Sequence, residues 1–289
     1  MAYPIVSAPY GFKADNELGG LPYAGSTRMI PIATGYAANL FNGDLVQLSG
    51  GTLIKSAMSA ASSPGTAVNG QIGVFVGCEY TNPGTQQRVR AQYWPSGTVA
   101  QDAVAYVIDD PRTVFKVAVT NQGTSLSNTG STIGYFSEAF VGTNVYAITG
   151  AAGNTTSGDS AMSVSGAVVA SGSNGNVRIA SALPFRVVQI VPDTAVSVAA
   201  VASTSGSSTT VTLTVANLAI QAGMRLIAPT GTGSLAGNYI TVTNVNGVTV
   251  TVNSAITLAS DTAVTFIGYP EARVVWNQGF HSYTNATGV

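Results

Sequence analysis

The chain has 289 residues and a formal net charge of −1; that length suits about two domains and a core that needs neither disulfides nor metals. Only 8% of residues are charged, against roughly 25% in a typical soluble domain, so there is little Lys or Glu from which to build solvated helical faces. A near-neutral chain also offers no electrostatic footprint for specific nucleic acid or for anionic membrane lipid.

With 33 glycines and abundant Ser, Thr, Asn and Val, the composition favours short strands joined by turns. The expected class is all-β, a barrel- or sandwich-like parent domain with a small immunoglobulin-like β-sandwich inserted in it. Residues 1–30 read as an extended arm, since Pro4, Pro9, Pro22 and Gly19-Gly20 make poor helix or central-strand material. Tyr3, Ile5, Tyr10 and Phe12 are spaced along the arm and are the expected contacts to a neighbouring subunit. The alternative is that the arm packs on its own domain.

Strands are expected next at Arg28–Ile32, Ala38–Phe41, Leu45–Leu48 and Thr52–Ile54, the last two flanking the hairpin signal Ser49-Gly50-Gly51. Ile72–Tyr80 is apolar almost throughout and is expected to be buried. Arg88–Trp94 alternates, while Val104–Ile108 and Val114–Val119 flank the turn former Asp109-Asp110-Pro111. Residues 120–185 are rich in Gly, Ser, Asn and Thr and read as long loops over the core, before a strand at Arg186–Val191.

From about Ala195 to Gly268 the only charges are Arg225 and Asp261. Strands are expected at Val211–Val215, Met224–Ala228, Ile240–Val245, Val248–Val252 and Ala263–Ile267, with Asn246-Gly247 as a type I′ hairpin turn. This stretch has the size of a small β-sandwich, without the Cys…Trp…Cys signature of antibody domains. Charge and aromatics return in Glu271–Trp276, which reads as one more strand. The parent domain is therefore read as 31–193 plus 269–289 and the inserted module as 194–268, with Arg186–Val191 and Ala272–Trp276 as neighbouring strands.

Chemistry is sparse. His281 is the one histidine, no G-x-S-x-G elbow accompanies it, and a solvated or interface role is expected. Cys78 lies in an apolar run and reads as a small buried hydrophobe. One His and one Cys cannot supply a zinc site, Asp109-Asp110 lacks EF-hand spacing for calcium, and the glycine triplets lack a P-loop Lys. Arg88 and Arg90 share a strand face near Tyr93 and Trp94, either a weak single-strand stripe or a subunit-interface ion pair; Trp94 and Trp276 are expected in the core. No catalytic, cofactor-binding or metal residue is assigned, and the chain is read as non-enzymatic. The apolar runs are too short for a membrane helix of ~20 residues, and the regular alternation of an outer-membrane barrel is missing. A hydrophobic share of 45% argues against disorder. The start lacks the pattern of a secretory signal, and a single cysteine suits a reducing cytoplasm.

Several stretches resemble a family of tailed-phage virion structural proteins: Gly25-Ser-Thr-Arg28 leading to Tyr36, Phe41-Asn-Gly-Asp44-Leu-Val46, Ile72-Gly-Val-Phe75, Cys78-Glu-Tyr80-Thr, Tyr93-Trp94-Pro95, Val107-Ile-Asp-Asp-Pro111 and Arg273-Val-Val-Trp-Asn-Gln-Gly-Phe-His281. The similarity covers roughly residues 10–120 and the last twenty. It implies a decoration or cement protein on the capsid surface, made in the host cytoplasm, with the major capsid protein as partner. A homo-oligomer is expected, a trimer being one option, with no cofactor and no specific nucleic acid or membrane partner. A tail or fibre component and a glycan-binding adhesin module are the alternatives.

Overall fold

A computed structural model describes residues 5–56, 58, 70–120, 130, 132–166, 183–203, 206–228 and 239–284. Strands take 51% of the described residues and helix 3%, which establishes the all-β class. Among the described residues ten strands precede residue 121: β1 (Lys13–Glu17), β2 (Arg28–Pro31), β3 (Leu40–Phe41), β4 (Leu45–Ser49), β5 (Thr52–Lys55), β6 (Gln71–Thr81), β7 (Arg88–Ala91), β8 (Tyr93–Trp94), β9 (Val104–Ile108) and β10 (Thr113–Thr120). One sheet runs β2-β9-β6-β4-β5, with β7 also on β6. A bridge between Ile32 and Leu53 brings β2 beside β5 and nearly closes this sheet into a barrel. The long apolar run of β6 is explained by its two covered faces. Ile72, Phe75 and Cys78 fill the barrel with Trp94 and Val107, while Val74 joins the core shared with the second sheet.

That second sheet takes β11 (Asn144–Val145), β12 (Ala147–Ile148), β13 (Ser163–Ser165), β14 (Phe185–Ile190) and β21 (Glu271–Trp276) in the order β11-β14-β21-β10-β13-β12, with β1 also on β10. Strands β14 and β21 pair antiparallel from Phe185↔Trp276 to Ile190↔Ala272, the neighbour relation expected across the insertion. Between them lies the module: β15 (Val196–Ala202), β16 (Gly206–Thr212), β17 (Arg225–Ile227), β18 (Val242–Asn246), β19 (Thr249–Leu258) and β20 (Thr262–Gly268). It forms the sheets β15-β20-β17 and β16-β19-β18 around its own cluster of Val211, Met224, Leu226, Val250, Val264 and Phe266. The bridges Ala202↔Leu213 and Arg225↔Thr241 join the two sheets at two corners. In the immunoglobulin order the first strand lies in the sheet of the second and fifth; here β15 pairs β20 over seven residues, Val196↔Gly268 to Ala202↔Thr262. An insertion needs its entering and leaving strands side by side, and this pairing supplies that.

The parent and the module are clamped at the junction. Phe136 pairs with Tyr269 and buries its ring in the parent core, while Tyr135, pointing the opposite way on extended chain, packs on the module core. Glu138 accepts a 2.9 Å hydrogen bond from the Tyr269 hydroxyl and lies 3.5 Å from the Arg225 guanidinium. Gly268 leaves room for this contact: a Cβ there would sit 2.8 Å from both Met224 and Tyr135 side-chain atoms.

Five sequence expectations change. The arm is not free from 1 to 30, because β1 pairs β10 and β2 pairs β9. The stretch 120–185 is more than surface loop: β11, β12 and β13 lie in it, and Phe136, Phe140, Met162 and Val164 enter the core. Arg88–Trp94 splits into β7 on β6 and β8 on β3. The hairpin turn at 246 is displaced by one residue: Asn246 pairs Thr249, and Gly247 at φ 60° leads the two-residue loop, the type II′ pattern with glycine first. Strand β15 was missed because Val-Ser-Val-Ala-Ala-Val-Ala carries little β propensity in its alanines; its pairing with β20 is what makes it a strand.

Phe12 is 1% exposed and stacks on Phe185 at a centroid distance of 4.8 Å. Phe12→Ala should therefore destabilise the fold by about 3–5 kcal/mol, read as a lower urea midpoint, whereas Ile5→Ala should stay within about 0.5 kcal/mol of the wild type.

Candidate functional site

The four expected arm contacts separate. Tyr3 lies outside the described residues. Ile5 is 87% exposed. Tyr10 folds back and donates its hydroxyl proton to the Glu271 carboxylate. Phe12 is a core residue of its own domain, which leaves it no surface for a neighbour. The reason is local: Gly11 at φ 81° donates to the Met162 carbonyl at 3.1 Å, and Phe12 to the Gly43 carbonyl at 3.0 Å. A side chain at Gly11 would come within 2.6 Å of the Ser160 Cβ, so the chain is threaded tightly at that point and leaves the domain only before Tyr10.

Beneath residues 5–8 lies a cavity of about 460 Å³, floored by Lys116, Glu271 and Arg273 and walled by Asp15, Asp193 and Thr194. Its two cations are already matched. Lys116 stands 3.8 Å from Glu271, and Arg273 donates to Asp15 and, at 3.3 Å, to Gln189. Burial, then the Glu271 carboxylate, holds the Tyr10 phenol far above its ordinary pKa. The cluster is suited to seating a chain segment. On the same sheet a groove of about 490 Å³ is lined by Leu18, Pro111, Val141, Val188, Val275 and Trp276, and Leu18 and Val141 stay 44% and 45% exposed.

The other residues singled out by sequence all have structural partners. His281 is fully buried; its Nε2 lies 2.8 Å from the Ile72 carbonyl and its Nδ1 accepts from the Tyr283 amide at 3.2 Å. That pattern is the neutral Nε2–H tautomer, and it ties the C-terminal segment to β6, so the expected solvated or interface position is replaced by a core one. Cys78 is buried as expected, its thiol pushed up to about 12 by burial, and it points to the Tyr93 carbonyl at 3.4 Å. Arg88 and Arg90 both bond Glu79, whose carboxyl is held below its usual value by the Tyr106 hydroxyl first and by the two arginines after it. Asp110 accepts from the Arg112 amide at 2.7 Å as a turn residue should, and Asp109 accepts from the Tyr283 hydroxyl at 2.7 Å. Trp94 and Trp276 are both buried. Sequence reasoning missed Asp44, fully buried where Ser160, the Phe41 amide and Lys55 converge; burial raises its pKa against all three. Among the described residues no group of three or more His, Cys, Asp or Glu is placed to hold a metal ion, and no helix is long and apolar enough to cross a membrane.

No protein-family model, no curated protein and no solved structure matches the chain.

The His281 geometry carries a pH signature. Burial lowers its pKa below the ordinary 6.5, outweighing the hydrogen bond to Ile72 and the nearby Asp109 and Asp110. As pH falls through about 6.5 the unfolded chain takes up a proton that the folded chain refuses, so stability falls from there down to the folded pKa. The urea midpoint should drop between about pH 7.5 and 5.5, and His281→Gln, less stable at neutral pH, should show a flatter profile over that window.

Proposed function

We propose that this protein is a non-enzymatic virion structural protein that decorates a phage capsid, binding the lattice of the major capsid protein and stabilising it. The observation that carries the reading is the division of the arm. Its second half is locked into its own domain through Phe12 and Tyr10, while Ile5 projects into solvent at 87% exposure beside a cavity shaped by the chain itself. A segment anchored at one end and apolar at the other is suited to reaching a neighbour. The matched charges and structurally occupied His281, Cys78 and Arg88/Arg90 support a role in packing rather than turnover. Many copies bridging adjacent capsomers add interface area, and each contact can be modest because attachment is multivalent.

A second reading has its own observation. On the outer face of β16-β19-β18, Thr210, Thr251 and Asn244 line up across the sheet, as do Thr212, Thr249 and Asn246. Two rows of hydroxyls and amides without charge suit a neutral glycan, and an array of neutral polysaccharides would register binding that Thr249→Val with Thr251→Val abolishes.

The capsid reading is tested by mixing purified protein with expanded, empty heads, read by sedimentation and cryo-EM, with full chain and chain lacking residues 1–8. Regular density on the lattice, weakened at least tenfold in affinity by the truncation, is the expected outcome. Failure of the full chain to co-sediment with heads removes the capsid reading.

A further inference from the structure

Among the described residues the inserted module has one strand edge that is regular, uncharged and open. The corner bonds show which way β15 faces: Thr214 donates to the Val201 carbonyl at 2.9 Å and Ser203 to the Thr212 carbonyl at 3.2 Å through its hydroxyl, so the backbone groups of odd-numbered residues point away from β20. Beyond that corner the N–H and C=O groups of Ser197 and Ala199 have no backbone partner among the described residues, and both residues are exposed. The β15–β20 register runs seven residues without a bulge, whereas β16, across the seam, is interrupted between Ser208 and Thr210. Natural proteins blunt such an edge with Lys, Pro, a bulge or a cover; Val196–Ala202 carries none of the first three.

The surface around that edge is apolar. Leu213 donates to the Val248 carbonyl at 2.8 Å, which gathers Val201, Val215 and Val248 about one corner, and these are 38%, 73% and 38% exposed. The opposite strand of the sheet is already used, since Leu226 donates to the Ile240 carbonyl at 2.8 Å.

We propose that β15 pairs antiparallel with β15 of a second copy of this chain, making a two-fold dimer whose sheet runs continuously through both modules. The edge is its own complement. With the axis beside Val198, Ser197 faces Ala199 of the second copy and Ala199 faces its Ser197, so two residues on each chain exchange both backbone bonds, as an isologous interface requires. No charge lies on β15, so self-pairing sets no like charges directly opposite, and it covers the exposed valines at the same corner. This inference is independent of the capsid reading.

Sedimentation velocity across low to high micromolar concentration should show a reversible dimer. Ala199→Pro removes an N–H that faces outward, so it should abolish the dimer while leaving the melting temperature within a few degrees; Ala200→Pro, which removes a ladder bond to β20, should instead unfold the module. Ser197→Cys combined with Ala199→Cys should give a covalent dimer on oxidation, reversed by reductant, because a hydrogen-bonded antiparallel pair holds its Cα atoms about 5.5 Å apart. Cys78 at 1% exposure does not compete. A wild type that stays monomeric overturns the proposal, including one that takes up a strand from another protein. So does an Ala199→Pro variant that dimerises like the wild type. Should Ala199→Pro fail to fold, the cysteine pair decides: no covalent dimer, no interface at this edge.

Discussion

The antiparallel pairing of β14 with β21 is the constraint on which the rest of the structure hangs. These strands meet from Phe185↔Trp276 to Ile190↔Ala272, and the chain between them leaves and returns through β15 and β20, which continue side by side from Val196↔Gly268. The module is thus mounted on a two-stranded stem, and the strand that closes the parent sheet, between β14 and β10, arrives only after the whole module has been made. An intervening module costs little loop entropy, because closure cost grows slowly with length, provided that its own ends fold together. The pairing of first and last module strands meets that proviso and also explains the departure from the immunoglobulin order.

Stem pairing alone would leave a hinge. The neighbouring segment 135–138 stiffens it by alternation: Phe136 goes to the parent core, Tyr135 to the module core, and Glu138 gathers Tyr269 and Arg225. A short extended strand can serve two cores because successive side chains point to opposite sides. The same economy recurs at β6, whose two faces belong to the barrel and to the shared core.

The few charges are mostly spent on holding pieces together. Lys13 meets Asp159 at 3.1 Å, Lys55 meets the buried Asp44 at 3.5 Å, and Arg28 meets Asp109 at 3.6 Å, each joining segments distant in sequence or closing a strand pair. The more exposed Lys13–Asp159 and Arg28–Asp109 pairs add little stability singly; their consequence is for recognition. With most of the cations paired internally, the surfaces singled out for partners are apolar, as at Ile5 and Val215, or backbone and hydroxyl, as on β15 and the threonine rows.

By itself the sequence determined the all-β class, the buried course of β6, the Ser49-Gly50-Gly51 hairpin, the Asp109-Asp110-Pro111 turn and the adjacency of the strands flanking the insertion. These are local matters of propensity, turn chemistry and periodicity, or a shift in composition, all written in consecutive residues. It did not determine that Phe12 belongs to the core, that His281 is buried on β6, or that Val196–Ala202 is a strand. Phe12 stacks on a residue far along the chain, His281 finds its acceptor at Ile72, and an alanine-rich segment becomes β only because β20 lies beside it. Each depends on contacts between residues remote in sequence, and those exist only once the stem has brought the two ends of the parent sheet together.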